Sequence, residues 1–166
     1  MNKTEAAIQY IIWQHHNRGL VLPNIHTDPY GGSEVDALYI TDSGYPWFYE
    51  IKCSKADFKN DFKKKRHQLL LSRSNSIWIK PKHFFYVCHG FTITPEECPE
   101  YAGLIIQNKH GWLDFYNPAK KAPLLFQERI TPKQREFIDK KIMYRYLNSR
   151  HKIGRKAYDF LYPPIH

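Results

Sequence analysis

Long apolar runs are absent from this sequence, and no stretch approaches the length of a membrane-spanning helix. Cysteine is scarce. Cys53, Cys88 and Cys98 are an odd number with no CxxC pair, which argues against a disulfide framework and for a reducing, cytoplasmic setting. Cys88-His89 and Cys98 have no recognisable zinc-ligand spacing. There is no glycine-rich phosphate loop, serine-hydrolase elbow or dinucleotide fingerprint, so no organic cofactor is expected. Internal repeats and low-complexity segments are also missing. The N-terminus interrupts Ile8, Ile11, Ile12 and Trp13 with Gln9 and Gln14, which suits an amphipathic helix better than a secretory signal.

Acidic residues are the minority, 16 against 25 lysines and arginines, for a formal net charge of +9 on 166 residues. The length suits one domain with a single core, expected here to span 1–166 with a basic C-terminal helix and tail. A basic domain of this size attracts polyanions: nucleic acid first, then an acidic membrane surface or an acidic protein. Charge alone also serves solubility, so its distribution matters more than its total.

Thr4 can cap a helix over 5–17, ended by Arg18-Gly19. A loop with Pro23, Asp28-Pro29 and Gly31-Gly32 follows. Glu34–Ile40 (EVDALYI) and Trp47–Lys52 (WFYEIK) read as two strands of a hairpin. A second helix is expected over 55–71, with Phe58, Phe62 and Leu69 buried. Short strands are expected at 76–80, 83–87, 102–107 and 112–116. Thr131-Pro132 then opens a helix to about Asn148, and the tail at Tyr162-Pro163-Pro164 should be irregular. This order predicts an α/β domain with a central mixed sheet covered on both sides.

The chemistry concentrates in the hairpin. Alternation puts Asp36, Leu38 and Ile40 on one strand face, and Phe48, Glu50 and Lys52 on one face of the next. If the loop closes symmetrically about Ser43, Asp36 faces Glu50 and Glu34 faces Lys52, with Cβ atoms about 5 Å apart. Two partly buried carboxylates so placed repel unless compensated. A hard divalent cation such as Mg²⁺ supplies that compensation. Lys52 would then lie beside the metal, to orient water or neutralise phosphate charge. The plainer alternative is a set of solvated charges with Lys52 pairing Glu34.

The acid in one strand, Glu-Ile-Lys at the end of the next and the basic helix after it resemble the PD-(D/E)xK nuclease superfamily. The ordered blocks "EVDALYI", "YEIKCSKADFKNDFKKKRHQ" and "YVCHGFTITPEECPEYAGLI" resemble the MmcB-related DNA-repair nucleases, over about Gly32 to Leu113. That resemblance implies a restriction-endonuclease-like core and a Mg²⁺-dependent deoxyribonuclease in which Mn²⁺ can substitute. Asp36, Glu50 and the Ile51 carbonyl would be ligands, and Lys52 the catalytic lysine. The superfamily's first acid usually follows proline, whereas Val35 precedes Asp36 here. Glu5 matches a first-helix glutamate that assists the metal in many members, or is simply a first-turn acid favoured by the helix dipole. Glu34, on the same face as Asp36, competes for that role.

On the second helix Lys55, Lys59, Lys63 and Arg66 are expected to form a basic stripe for a phosphodiester backbone, with His67 and Gln68 near the same cleft. The alternative is an ordinary solvated lysine face. The C-terminal segment, from Lys133 through Lys156, offers a second basic surface. Two functions stay open: a nuclease acting on DNA, and a nucleic-acid-binding module on the same fold that cuts little or not at all.

Overall fold

The computed structural model describes residues 3–29 and 34–161, with side chains to residue 153. The Gly31-Gly32 turn and the Tyr162-Pro163-Pro164 tail lie outside the described residues. The chain divides into two compact units, 1–130 and 131–166, where the sequence predicts one domain.

The first unit is an α/β sheet structure. Helix α1 (Lys3–His15) leads into β1 (Leu20–His26), β2 (Glu34–Ile40) and β3 (Pro46–Lys52). Two short helices follow, α2 (Lys55–Asp61) and α3 (Lys65–Leu71), then strands β4 (His83–Cys88) and β5 (Gly103–Ile106). The five strands lie in sequence order. β1, β2 and β3 pair antiparallel, and β3, β4 and β5 pair parallel, so the sheet is mixed. Alternation separates its faces. Ala37, Tyr39, Tyr49, Ile51, Phe85 and Val87 pack with Ile8 and Ile12 of α1. On the opposite face Phe58 of α2 meets Tyr86 edge-on at 5.0 Å, and His67 of α3 meets Phe84 at 5.7 Å.

The hairpin register is the expected one, centred on Ser43: Ile40 pairs with Pro46 and Ala37 with Tyr49. Gly44 takes the left-handed conformation (φ 85°) that closes the turn. Several local expectations need correction. Thr4 lies inside α1, which starts at Lys3, so it does not cap the helix. Residues 20–26, expected as loop, form strand β1, an edge strand where Pro23 removes no interior hydrogen bond.

The single helix expected over 55–71 is broken at Phe62-Lys63-Lys64, where Lys64 is extended (ψ 136°). The break lets Lys64 turn back to Asp61 and swings Arg66 and His67 toward the sheet. Residues 76–80 and 112–116 are not strands, apart from a bridge of Leu113 to Gln107.

The described residues of the second unit form one helix, α4 (Pro132–Leu161), running well past the expected Asn148. Its start follows the expected signal. Gln134 N–H donates to Thr131 Oγ1 at 3.3 Å and Thr131 N–H to Gln134 Oε1 at 2.8 Å, a reciprocal cap with proline at the first helical position.

Candidate active site

The β2–β3 ladder stops at Ala37–Tyr49, one step short of Asp36 and Glu50. There the Ile51 N–H donates to Asp36 Oδ2 at 2.7 Å, which fixes the carboxylate against the end of β3. On the other side of β2 the β1 ladder skips Asn24, whose φ is 47°. The Gln9 amide of α1 fills that gap, donating to Asn24 Oδ1 and to the Asp36 carbonyl, each at 2.9 Å. Gln9 also lies 3.3 Å from Glu5 Oε1. Glu5 therefore reaches the Asp36 neighbourhood through Gln9.

Glu50 and Lys52 share the face toward α2 and α3, and both are buried, at 2% and 4% exposure. Arg66, entering from α3, donates to Glu50 Oε1 with Nη2 and to the Glu34 carbonyl with Nη1. The Glu34 carboxylate points elsewhere, 3.7 Å from His26 Nε2 of β1. The expected Glu34–Lys52 pairing is thus corrected, because β1, absent from the sequence reading, supplies Glu34 with a neighbour.

Lys52 donates instead to Asp61 Oδ1 at 3.0 Å. Asp61 closes α2 and is 1% exposed. Its Oδ2 accepts from Tyr86 Oη at 3.0 Å and lies 2.7 Å from His67 Nε2, a short but off-axis contact. His67 Nδ1 meets the Tyr101 hydroxyl at 2.7 Å. Tyr86 is also the register partner of Glu50 in the β3–β4 ladder. Glu50, Asp61 and His67 each place one ligand-type atom within 4.8 Å of the others.

The electrostatics follow from burial. Desolvation raises the Asp36 pKa and prevails over the Ile51 N–H, Lys52, Arg66 and Lys64, which all lower it. Burial also opposes ionisation of Asp61. Here contacts from His67 and Lys64 and the charge on Lys52 outweigh it, holding the carboxyl well below the usual range. Burial pushes the His67 pKa down against the pull of Asp61. Glu50 thus pairs with Arg66, and Asp61 with Lys52 and Lys64, while Asp57 lies 3.8 Å from Lys52.

The expected basic stripe keeps its three lysines at the surface and loses Arg66 to the interior. Arg66 and His67 are buried in the site, Lys55 pairs with Glu97 at 2.8 Å, and Lys63 donates to Asn60 at 3.3 Å. Lys55, Lys59, Lys63 and Gln68 are all exposed. The break between α2 and α3 is the reason Arg66 turns inward. Asp61, Gln9 and Tyr101 were not picked out by sequence reasoning. Asp61 carried a signal, because it falls on the Phe58/Phe62 face of its helix.

The donor types around Asp36 and Glu50 are hard oxygens, suited to Mg²⁺. Among the described residues the three that bring ligand-type atoms together are Glu50, Asp61 and His67, and Asp36 is not in that group.

No protein-family model matches the chain, and no curated protein does. The fold is similar to that of the SPO1766 protein of unknown function from Silicibacter pomeroyi. That match has a TM-score of 0.50 and 20% identity, covering 93% of this chain and 86% of that one. The likeness concerns the fold alone.

Proposed function

We propose that the chain is a metal-dependent nuclease that hydrolyses phosphodiester bonds in DNA, acting in repair or processing. The observation that carries this reading is the open end of the hairpin, where Asp36 accepts from the Ile51 N–H just past the last β2–β3 pair and Lys52 is buried beside Asp61. The resemblance to the MmcB-related nucleases supports it.

Asp36 and Glu50, with the Ile51 carbonyl, would hold Mg²⁺ or Mn²⁺. When bound, the ion would supply Lewis-acid polarisation of the phosphate and a water of lowered pKa. The Lys52 ammonium would neutralise charge building on the phosphate as the leaving oxygen departs. Arg66 would have to release Glu50, and is then a second cation for the phosphate. Exposed Lys59 and the basic residues of α4 would contact the DNA backbone. Among the described residues no helix is long and apolar enough to cross a membrane. The unpaired thiols of Cys53, Cys88 and Cys98 support a cytoplasmic location.

One observation favours the alternative, a DNA-binding module that cuts little or not at all: Arg66 already satisfies Glu50 in a site closed to water. Nicking of supercoiled plasmid in Mg²⁺, compared with the Glu50→Gln variant, decides between them. Cleavage lost in the variant supports the nuclease. Equal inactivity with retained DNA binding supports the module.

A further inference from the structure

We propose that Asp61 is a positioning residue for Lys52, anchoring its ammonium ahead of the chemistry. The proposal rests on the nuclease reading and adds a residue to it.

A lysine side chain is rich in rotamers, and a loose ammonium would have to be ordered in the transition state itself. Here that ordering is done by the fold. Ser54 Oγ accepts the Asp57 N–H, which starts α2 directly after β3, and the helix returns Asp61 to the end of the strand that carries Lys52. The Lys52 Nζ–Asp61 Oδ1 hydrogen bond is 3.0 Å, with side chains 4% and 0% exposed. The second acid near Nζ, Asp57, is 3.8 Å away and 59% exposed.

Asp61 Oδ2 in turn accepts from Tyr86 of β4, and the His67 ring of α3, backed by Tyr101, packs 2.7 Å from it. A lone surface lysine, Lys64, would be enough to neutralise Asp61 and is already in contact with it. Burying the carboxylate on three further groups is not needed for neutralisation. It makes sense if the position of the carboxylate matters. Asp61 acts through Lys52 and touches neither phosphate nor metal.

The test is Asp61→Asn in the full chain. Asparagine preserves shape and can still accept from Tyr86, but loses the charge that holds the ammonium. Three measurements are made: steady-state cleavage of a duplex oligonucleotide in Mn²⁺, Mn²⁺ affinity by calorimetry, and the ¹⁵Nζ signal of Lys52, assigned by its loss in Lys52→Met. Ammonium protons are seen only when buried and hydrogen bonded.

The expected result is a fall in kcat of about a hundredfold, with KM and Mn²⁺ affinity little changed and the Lys52 signal lost. Unchanged kcat overturns the proposal. A sharp fall in Mn²⁺ affinity also overturns it, by making Asp61 a ligand in the Glu50–Asp61–His67 cluster. If Asp61→Asn does not fold, Asp61→Glu decides. It keeps the charge but displaces the carboxylate by one methylene, and wild-type kcat there overturns the proposal. If the wild type itself does not cleave, the nuclease reading has failed. A persistent ¹⁵Nζ signal in Asp61→Asn would then refute the anchoring independently.

Discussion

Arg66 donates to the Glu50 carboxylate in a contact closed to water on both sides, the two side chains being 8% and 2% exposed. The hairpin pattern calls for a positive charge near Glu50, and the metal-free fold supplies one from α3. Arginine stays protonated even when burial lowers its pKa, as it does here. The guanidinium is therefore a standing counter-charge, and a cation at Glu50 must compete with it.

Arg66→Met should accordingly destabilise the metal-free protein by about 3–5 kcal/mol, the usual cost of leaving one partner of a buried pair uncompensated. Urea unfolding in chelator measures this. Mg²⁺ should recover more stability in the variant than in the wild type, because the competitor at Glu50 is gone. Equal metal responses in the two proteins would show that the ion does not engage Glu50.

Asp36→Asn should abolish cleavage while metal-free stability holds or rises. The amide oxygen introduced by the substitution can still accept the Ile51 N–H, and the burial cost of the charge disappears. The sign with pH is definite. The native pKa of Asp36 is raised, so its contribution is most favourable below the ordinary carboxyl value of 3.8 and is lost as pH rises through the native value. The advantage of the variant over wild type should thus be absent in acid and full at neutral pH. Unfolding free energies of both proteins across pH, in chelator, check it. A variant less stable at neutral pH would make Asp36 a structural acid.

Gln9→Leu removes the amide that donates to the Asp36 carbonyl, Asn24 Oδ1 and Glu5 Oε1, at the point where the β1–β2 ladder skips a pair. Each such loss costs about 1–3 kcal/mol. The variant should unfold at correspondingly lower urea and bind Mn²⁺ more weakly, since Asp36 loses its support. Stability within a few tenths of a kcal/mol of wild type would mean that water replaces the amide.

The hairpin was legible because period-two alternation and a polar turn set its register locally, and the structure keeps that register to Ala37–Tyr49. What depends on distant chain was not. Glu34 faces His26 because β1 exists, and β1 was hidden by Pro23-Asn24 inside an apolar run. Arg66 read as one more surface cation because the helix break that turns it inward has no glycine or proline to announce it. Asp61 lies in a lysine-rich stretch where an acid looks solvated. Only its three-residue spacing from Phe58 places it on the buried side. Gln9 seemed a polar interruption of an apolar helix, yet it is buried and hydrogen bonded to two strands.

Lys52→Met separates a catalytic lysine from a structural one. Methionine keeps most of the stem and the volume of a side chain that is 4% exposed, so packing on the sheet face survives. Asp61 loses one of its cations but keeps Lys64, His67 and Tyr86, and the stability loss should stay at about 1–3 kcal/mol. If Lys52 serves only to neutralise Asp61, that loss is the whole effect and cleavage proceeds at a near wild-type rate. If its ammonium meets charge that develops on the phosphate, kcat falls far more than DNA affinity, because that interaction is made mainly in the transition state. Metal affinity should hold or improve, since a positive charge near Asp36 has gone. Calorimetric Mn²⁺ titration beside plasmid cleavage distinguishes the cases in one variant. Undiminished cleavage would remove Lys52 from the chemistry, and with it the strongest residue-level support for a nuclease.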